Sequence, residues 1–268
     1  WRSQQQKLQR EFEYNRRLKT EVDERTAELA NRNRDLKVAN SKLQEASTTD
    51  ALTGLRNRRY LFQQIGKDVD LVLRHYRDGT ETMRPDGNND LLFLMVDLDN
   101  FKPVNDNSGH EAGDRLLLQI RDVLLEACRK SDDVIRWGGD EFLIVARETN
   151  REYAATLAER VRHSLSQRVF PIGDGQVARI TSSIGYATYP FLKDRPDLLT
   201  WEEVLGVADA AMYEAKEKRN SWVGIEALGW QGTGDDLYRA IKADPGKLAE
   251  EGAIRAIESV DDAVQDYA

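Results

Sequence analysis

Apolar positions near the amino terminus recur every seven residues, at Val22, Leu29, Leu36 and Leu43. In that frame the a positions are Thr26, Asn33 and Asn40, and residues 1–47 contain neither glycine nor proline. The residues are mostly good helix formers. Leu at d with Asn at a favours a parallel two-stranded coiled coil, because paired asparagines satisfy one another only in register. One amphipathic helix packed on its own domain is the alternative. The narrow stripe, polar on both sides, favours the paired helix. The clean repeat covers about four heptads and blurs upstream of Leu18.

Beyond residue 50 the period changes. Leu91-Leu-Phe-Leu-Met-Val96 is a continuous apolar run closed by Asp97, the pattern of a buried central strand. Glu111 to Ala127 is helical in period through Leu116, Leu117, Ile120, Val123 and Leu124. Val134–Trp137 and Phe142–Ala146 flank Gly138-Gly139, a hairpin signal. Glu152–Leu165 reads as helix, Val177–Thr188 as strand, and the Ala-rich Trp201–Lys218 as helix. Arg77–Asp90, with Gly79, Pro85, Gly87, Asn88 and Asn89, reads as a polar loop. Strands alternating with helices, plus one hairpin, predict an α/β or α+β sheet with helices on one or both faces. Gly173-Asp-Gly-Gln-Val-Ala178 fits the glycine pattern of a dinucleotide loop. It follows Pro171 with no long strand before it, so a hairpin loop is expected.

Charge separates the chain further. Its 268 residues suit one to two domains of about 150 residues each. There are 39 basic and 47 acidic side chains, a net charge of −8. Residues 1–47 carry 11 basic and 8 acidic groups, residues 223–268 only 4 basic against 10 acidic. This acidic balance argues against nucleic acid as a partner. A single cysteine, Cys128, allows neither an internal disulfide nor a cysteine-based zinc site, so a reducing compartment is expected. No stretch approaches 18 uncharged apolar residues, so no membrane contact by this fragment is expected. The start at Trp1, without a signal-peptide pattern, reads as a piece of something longer. A cytoplasmic location follows, or the cytoplasmic part of a membrane-anchored receptor, to which a basic stem would be suited. His75 and His163 lack metal-ligand partners at useful spacing and read as surface residues. Trp201, Trp222 and Trp230 read as packing residues.

The candidate chemistry lies at strand ends. Asp97 and Asp99 close the apolar strand, and Asp140 and Glu141 follow the Gly-Gly turn. Four crowded carboxylates repel unless a cation neutralises them, and hard oxygens suit Mg²⁺ or Mn²⁺. Ordinary solvated turn carboxylates are the alternative on composition alone. Asn105, His110, Gly113 and Asp114 follow, with Lys102 among them. They offer amide and carboxylate partners for a nucleobase and a cation for phosphate, which favours the metal.

These residues fall into a familiar series. Arg136-Trp-Gly-Gly-Asp-Glu-Phe142 resembles the signature of GGDEF domains, the diguanylate cyclases. Asp50-Ala-Leu-Thr-Gly-Leu-Arg-Asn-Arg-Arg59 is similar to the family's opening motif, and Asp97-Leu-Asp-Asn-Phe-Lys102 to its metal strand and phosphate loop. Asn105-Asp106, Gly109-His110 and Gly113-Asp114 match its base-recognition stretch. Ser183-Ile184-Gly185 and Met212-Tyr-Glu-Ala-Lys216 match its later strand and helix. Motifs in the expected order over residues 50–225 are far more specific than any one of them.

The resemblance implies a ferredoxin-like, palm-type α+β sheet flanked by helices, behind the coiled-coil helix. It implies a stem at 1–47, a cyclase domain at 48–225, and an acidic extension at 226–268 with no assigned role. Asp97, the Leu98 carbonyl, Asp140 and Glu141 would hold two Mg²⁺ or Mn²⁺ per site. Glu141 or Asp140 would help deprotonate the attacking 3′-hydroxyl. Asn105 and Asp114 would read guanine beside His110. Amides around Phe101 and Lys102, with Lys216, would hold the triphosphate. Two GTP would condense to cyclic di-GMP and two pyrophosphates across a homodimer, in the output domain of a bacterial signalling protein. Arg129-Lys-Ser-Asp132 looks like the family's inhibitory RxxD site for the product. A local i,i+3 ion pair is the alternative there. Asp50, Asn57 and Arg58 would fasten the junction after the stem, unless Asp50 or Thr49 is simply a helix cap. One departure stands out: the family's Ala-Lys-x-x-Gly-Arg-Asn is here Ala215-Lys216-Glu-Lys-Arg219-Asn220, one glycine short. That leaves either Arg219 or Lys218 to reach the phosphates. A catalytically silent nucleotide-binding domain is the competing class, and a mixed cyclic dinucleotide a narrower alternative that Asp114 argues against.

Overall fold

The computed structural model describes residues 19, 25–26, 28–29, 31–36, 47–77 and 87–259. Two compact units divide at Thr48/Thr49. In the first, the described residues 25–26, 28–29 and 31–36 are helical. Thr26, Leu29, Asn33 and Leu36 of the heptad frame are exposed, both leucines at 60%. Val22, Asn40 and Leu43 lie outside the described residues.

The second unit is built on a seven-stranded mixed sheet of order β1-β3-β4-β2-β7-β8-β9. Its strands are β1 (Arg56–Asn57), β2 (Asp90–Leu98), β3 (Asp133–Arg136), β4 (Glu141–Thr149), β7 (Ser182–Tyr189), β8 (Ser221–Ala227) and β9 (Ile254–Glu258). A separate hairpin pairs β5 (Phe170–Gly173) with β6 (Gln176–Ala178). The helices are α1 (Arg58–Arg77), α2 (Phe101–Ser108), α3 (His110–Ala127), α4 (Ala154–Ser166), α5 (Trp201–Lys218), α6 (Gly234–Ala243) and α7 (Pro245–Glu250). The expected mixed sheet flanked by helices is therefore what the chain forms.

The apolar run behaves as its pattern requires. Alternation sends Leu92, Leu94, Val96 and Leu98 of β2 to one core with α3 and α4. Leu91, Phe93 and Met95 face the other core, with α1, α5, α6 and α7. Each fully buried side chain of this kind contributes about 1.5–3 kcal/mol. Strand β2 is central because both faces are apolar, and β4 and β7 pair with it antiparallel on either side. Helix α5 opens on a capping box: Thr200 Oγ1 accepts the Glu203 N–H, and Glu203 accepts the Thr200 N–H. It lies directly on β7. A Cβ at Gly185 would fall 2.0 Å from the Met212 nitrogen and 2.1 Å from the Ala208 oxygen.

Two stretches differ from expectation. Val177–Thr188 is not one strand. β6 ends at Ala178 in the small hairpin, and β7 begins at Ser182 in the main sheet. At the break the Thr181 carbonyl accepts the Asp99 N–H, binding the chain to the end of β2 instead. The acidic extension at 226–268, read without any strand, contains β9, which pairs antiparallel with β8. Leu237, Ile241, Leu248 and Ile254 of this segment are buried in the second core. Residues 260–268 lie outside the description, as do 78–86 of the expected loop. The glycine-rich Gly173–Gly175 stretch is a hairpin turn, as its context predicted.

Candidate active site

The site forms where β2 and β4 end together. Asp97, next to last in β2, lies opposite Glu141, the first residue of β4, and opposite Ser183 of β7. The Leu98 N–H donates to the Asp140 carbonyl at 3.3 Å, drawing the Gly-Gly turn over the strand end. Lys216, in the last turn of α5, places Nζ 2.8 Å from Asp97 Oδ2.

The electrostatics follow from crowding. Burial raises the Asp97 carboxyl above its ordinary value, the nearby Asp140 and Asp99 add to this, and Lys216 opposes it. Burial, then Asp97, raises Glu141 likewise. Burial works against the charge of Lys216, but its bond to Asp97 outweighs this and raises its pKa. Two hard carboxylates that resist ionisation beside the Lys216 ammonium form a donor set a divalent cation would relieve. Among the described residues, no three His, Cys, Asp or Glu side chains are grouped closely enough to hold a metal. The donors brought together are thus two facing carboxylates with main-chain oxygens nearby.

Asp99 does not belong to that set. It is buried, and accepts Thr181 Oγ1 at 2.6 Å, Ser183 Oγ at 2.7 Å and the Asn220 N–H at 2.9 Å. Those three bonds engage both of its carboxyl oxygens. Of the four carboxylates expected to cluster, Asp97 and Glu141 face each other, Asp140 lies in the adjoining turn, and Asp99 is internal.

The loop after β2 leads into α2 through Asn100, which has left-handed backbone geometry. Phe101 is buried at the first turn and Lys102 is exposed beside it. Asn105 lies against Gly113 of α3, where a Cβ would sit 1.9 Å from Asn105 Oδ1. The missing side chain leaves room for the amide. His110 and Asp114 stand exposed one turn apart on α3. Arg219 follows α5, and its Nη1 donates to Asn100 Oδ1 at 3.2 Å. Lys218 instead pairs with Glu258 of β9.

The junction is bonded to the hairpin. Asp50 accepts the Thr53 N–H at 2.8 Å, Thr53 Oγ1 at 2.7 Å and Arg136 Nη1 at 2.9 Å. These bonds outweigh burial and lower its carboxyl pKa. Arg136 also donates to the Gly139 carbonyl at 2.9 Å through Nη2. Asn57 donates to the Thr49 carbonyl, and the Arg58 guanidinium lies 4.6 Å from the Trp137 ring centroid. Asp50 is a turn fastener here and caps no helix.

Arg129 and Asp132 form a turn before β3. Asp132 accepts the Arg129 main-chain N–H at 2.9 Å. The Arg129 guanidinium stacks on Tyr153 at 4.7 Å, and Arg160 shares that ring at 5.5 Å. Arg160 was not singled out from the sequence; its spacing of seven from Tyr153 is the signal that could have found it. Nor were Arg162 and Thr181, whose partners Asn220 and Asp99 are distant in the chain, and the link from Arg136 of the signature to Asp50 spans 86 residues.

Comparisons agree with this geometry. The profile "Diguanylate cyclase, GGDEF domain" matches residues 47–221. Diguanylate cyclase A of Treponema denticola is 32% identical over 188 residues, 70% of this chain and 47% of that protein. The probable diguanylate cyclase DgcC of Escherichia coli is 32% identical over 66% of this chain and 42% of its own length. The chain thus spans under half the length of these curated relatives. Among solved structures, diguanylate cyclase SiaD of Pseudomonas aeruginosa, in complex with its activator SiaC, is 30% identical with a TM-score of 0.55. That match covers 81% of this chain and 76% of SiaD. The coiled coil and GGDEF domain of DgcB from Caulobacter crescentus, in complex with c-di-GMP, shares the fold at 24% identity and a TM-score of 0.60, covering 74% and 96% of the two chains. With the signature hairpin beside the carboxylates of β2 and β4, the chain belongs to the GGDEF-domain family of diguanylate cyclases.

Proposed function

We propose that the chain condenses two GTP to cyclic di-GMP, each copy of a homodimer holding one GTP. The observation that carries this reading is the pair Asp97–Glu141, facing across β2 and β4 with Lys216 as counter-ion. Each 3′-hydroxyl attacks the α-phosphate of the other nucleotide. A phosphodiester bond forms, the α–β anhydride breaks, and pyrophosphate leaves. Glu141, or Asp140 beside it, takes the hydroxyl proton; a raised carboxyl pKa brings Glu141 nearer the range of a useful base. Asp97, Asp140, Glu141 and the Leu98 carbonyl would hold the divalent cations, Mg²⁺ or Mn²⁺, two per site. When bound these supply positive charge to the phosphates. Lys216, Lys102, Arg219 and the amides around Phe101 bind the triphosphate. Asn105 and Asp114, with His110 alongside, read the guanine edge, and a carboxylate facing N1–H and the 2-amino group rejects adenine.

Residues 48–225 form the cyclase domain, and the helical stem at 1–47 pairs as a parallel coiled coil that brings two domains together. The exposed Leu29 and Leu36 support that pairing. The chain acts as the output part of a longer signalling protein in the cytoplasm. Product binds at Arg129 and Asp132 and inhibits; the two guanidiniums gathered on Tyr153 support an anion there.

The test is incubation with GTP and Mg²⁺ and mass analysis of the nucleotide. Cyclic di-GMP is expected, and its absence from the unaltered protein overturns the reading. Asp140→Ala and Glu141→Gln should each lower turnover by about 10²-fold or more with the fold intact. Arg129→Ala should leave the initial rate unchanged and flatten the product-inhibition curve; an unaltered curve removes the second site.

A further inference from the structure

The turn between α5 and β8 has two consecutive non-glycine residues at positive φ, Arg219 at 54° and Asn220 at 42°. A Cβ crowds the neighbouring carbonyl in this region, so such a backbone persists only where its surroundings over-determine it. The glycine that would relax it is the residue this chain lacks. Two buried charged groups hold the turn instead. Asp99, 6% exposed, accepts the Asn220 N–H at 2.9 Å. Arg162, 4% exposed, donates through Nη1 to Asn220 Oδ1 at 3.1 Å and to the Asn220 carbonyl at 3.4 Å.

Arg162 is itself fixed. Its Nε and Nη2 fork onto Glu159 at 3.0 and 2.7 Å, and Glu159 Oε2 accepts the Trp222 indole N–H at 2.9 Å. Trp222 lies on β8, so the bonds run from α4 through the turn to the following strand. A buried guanidinium is costly to desolvate, and removing one of its partners leaves that cost uncompensated. The geometry at stake here is the direction of Arg219, which reaches Asn100 at the mouth of the phosphate loop while Lys218 is drawn to Glu258.

We propose that Asp99, Arg162 and Asn220 are positioning residues that hold the Arg219 turn in its left-handed form and so aim the Arg219 guanidinium at the triphosphate of GTP. This rests on the reading of the chain as a GTP-using cyclase. It assigns Asp99 a role other than metal binding, and gives the missing glycine a structural replacement.

A double-mutant cycle tests it. Wild type, Arg219→Ala, Asn220→Ala and the double variant are compared for KM and kcat, and calorimetrically for binding of a non-hydrolysable GTP analogue with Mg²⁺. Each single change should raise KM and the analogue Kd by about 5- to 30-fold, with kcat within about threefold. The double variant should be no worse than the poorer single by more than about twofold, because both remove one interaction. Arg162→Lys, which keeps the charge and loses the fork, should fall between wild type and Asn220→Ala. Multiplying effects, or an Asn220→Ala variant with wild-type affinity, overturn the proposal. Asn220→Ala leaves the Arg162–Glu159 pair in place, so the cycle decides even where Arg162 variants do not fold. If the wild type binds the analogue without turnover, the cyclase reading fails while the cycle still reports on positioning. If it does not bind, both fail.

Discussion

Gly113 sits inside helix α3, where glycine costs about 1 kcal/mol relative to alanine. The compensation is space, since a Cβ there would meet Asn105 Oδ1 at 1.9 Å. Gly113→Ala should therefore leave thermal stability nearly unchanged, gained helix propensity offsetting local crowding. It should raise KM for GTP about tenfold by displacing the Asn105 amide, the effect of losing one good base contact. Steady-state kinetics beside a melting curve check both halves; unchanged KM would detach Asn105 from guanine. Asn105 and Gly113 could be picked from the sequence because both lie in one short stretch. Asp99 could not be told from Asp97 there, two residues away with the same side chain. Their separation depends on the bonds Asp99 makes with Thr181, Ser183 and Asn220, which arrive from more than eighty residues further along the chain.

Strands and turns explain how the site is held. The β2–β4 register sets Asp97 opposite Glu141, so a slip of one residue would turn one carboxylate to the other face. The turn after the stem is tied to the signature hairpin by one ion pair, Asp50–Arg136, with both side chains mostly buried. The Asp50 carboxyl lies below its ordinary 3.8 in the folded chain, so between the two values the unfolded state binds more protons. Its contribution is therefore complete above about 4 and fades as pH falls through the folded value. Asp50→Asn should cost about 1–3 kcal/mol at pH 7, the usual effect of breaking a charged hydrogen bond, and progressively less as pH falls towards about 3. Urea unfolding of both proteins across that range measures it; a difference that stays constant with pH would mean the charge is not what matters. Periodicity located β2, α3 and α5 well. It missed the break between β6 and β7, because the apolar pattern runs on while the backbone changes partner. It also missed β9, a short strand whose only reason to extend is the open edge of β8.

In the proposed reaction assembly completes the arrangement, since a domain holding one GTP could not make a product from two. A coiled coil raises the local concentration of paired domains to about millimolar. Deleting residues 1–46 should leave activity per domain intact at high protein concentration and lower it at least tenfold in the low micromolar range. Activity followed over a dilution series checks this; parallel curves would show that the stem is not the dimerising device. No helix among the described residues is long and apolar enough to cross a membrane. The linear chain was sufficient to identify the heptad stripe, the central strand, the hairpin and the residue types of a nucleotide site, because each is a pattern of neighbours. Folding alone determined that Asp99 bonds to Thr181, Ser183 and Asn220, that Arg219 turns towards Asn100 while Lys218 turns to Glu258, and that Arg136 joins the junction to the hairpin. Those outcomes depend on hydrogen bonds between residues far apart in sequence, and local preference carries no information about such partners.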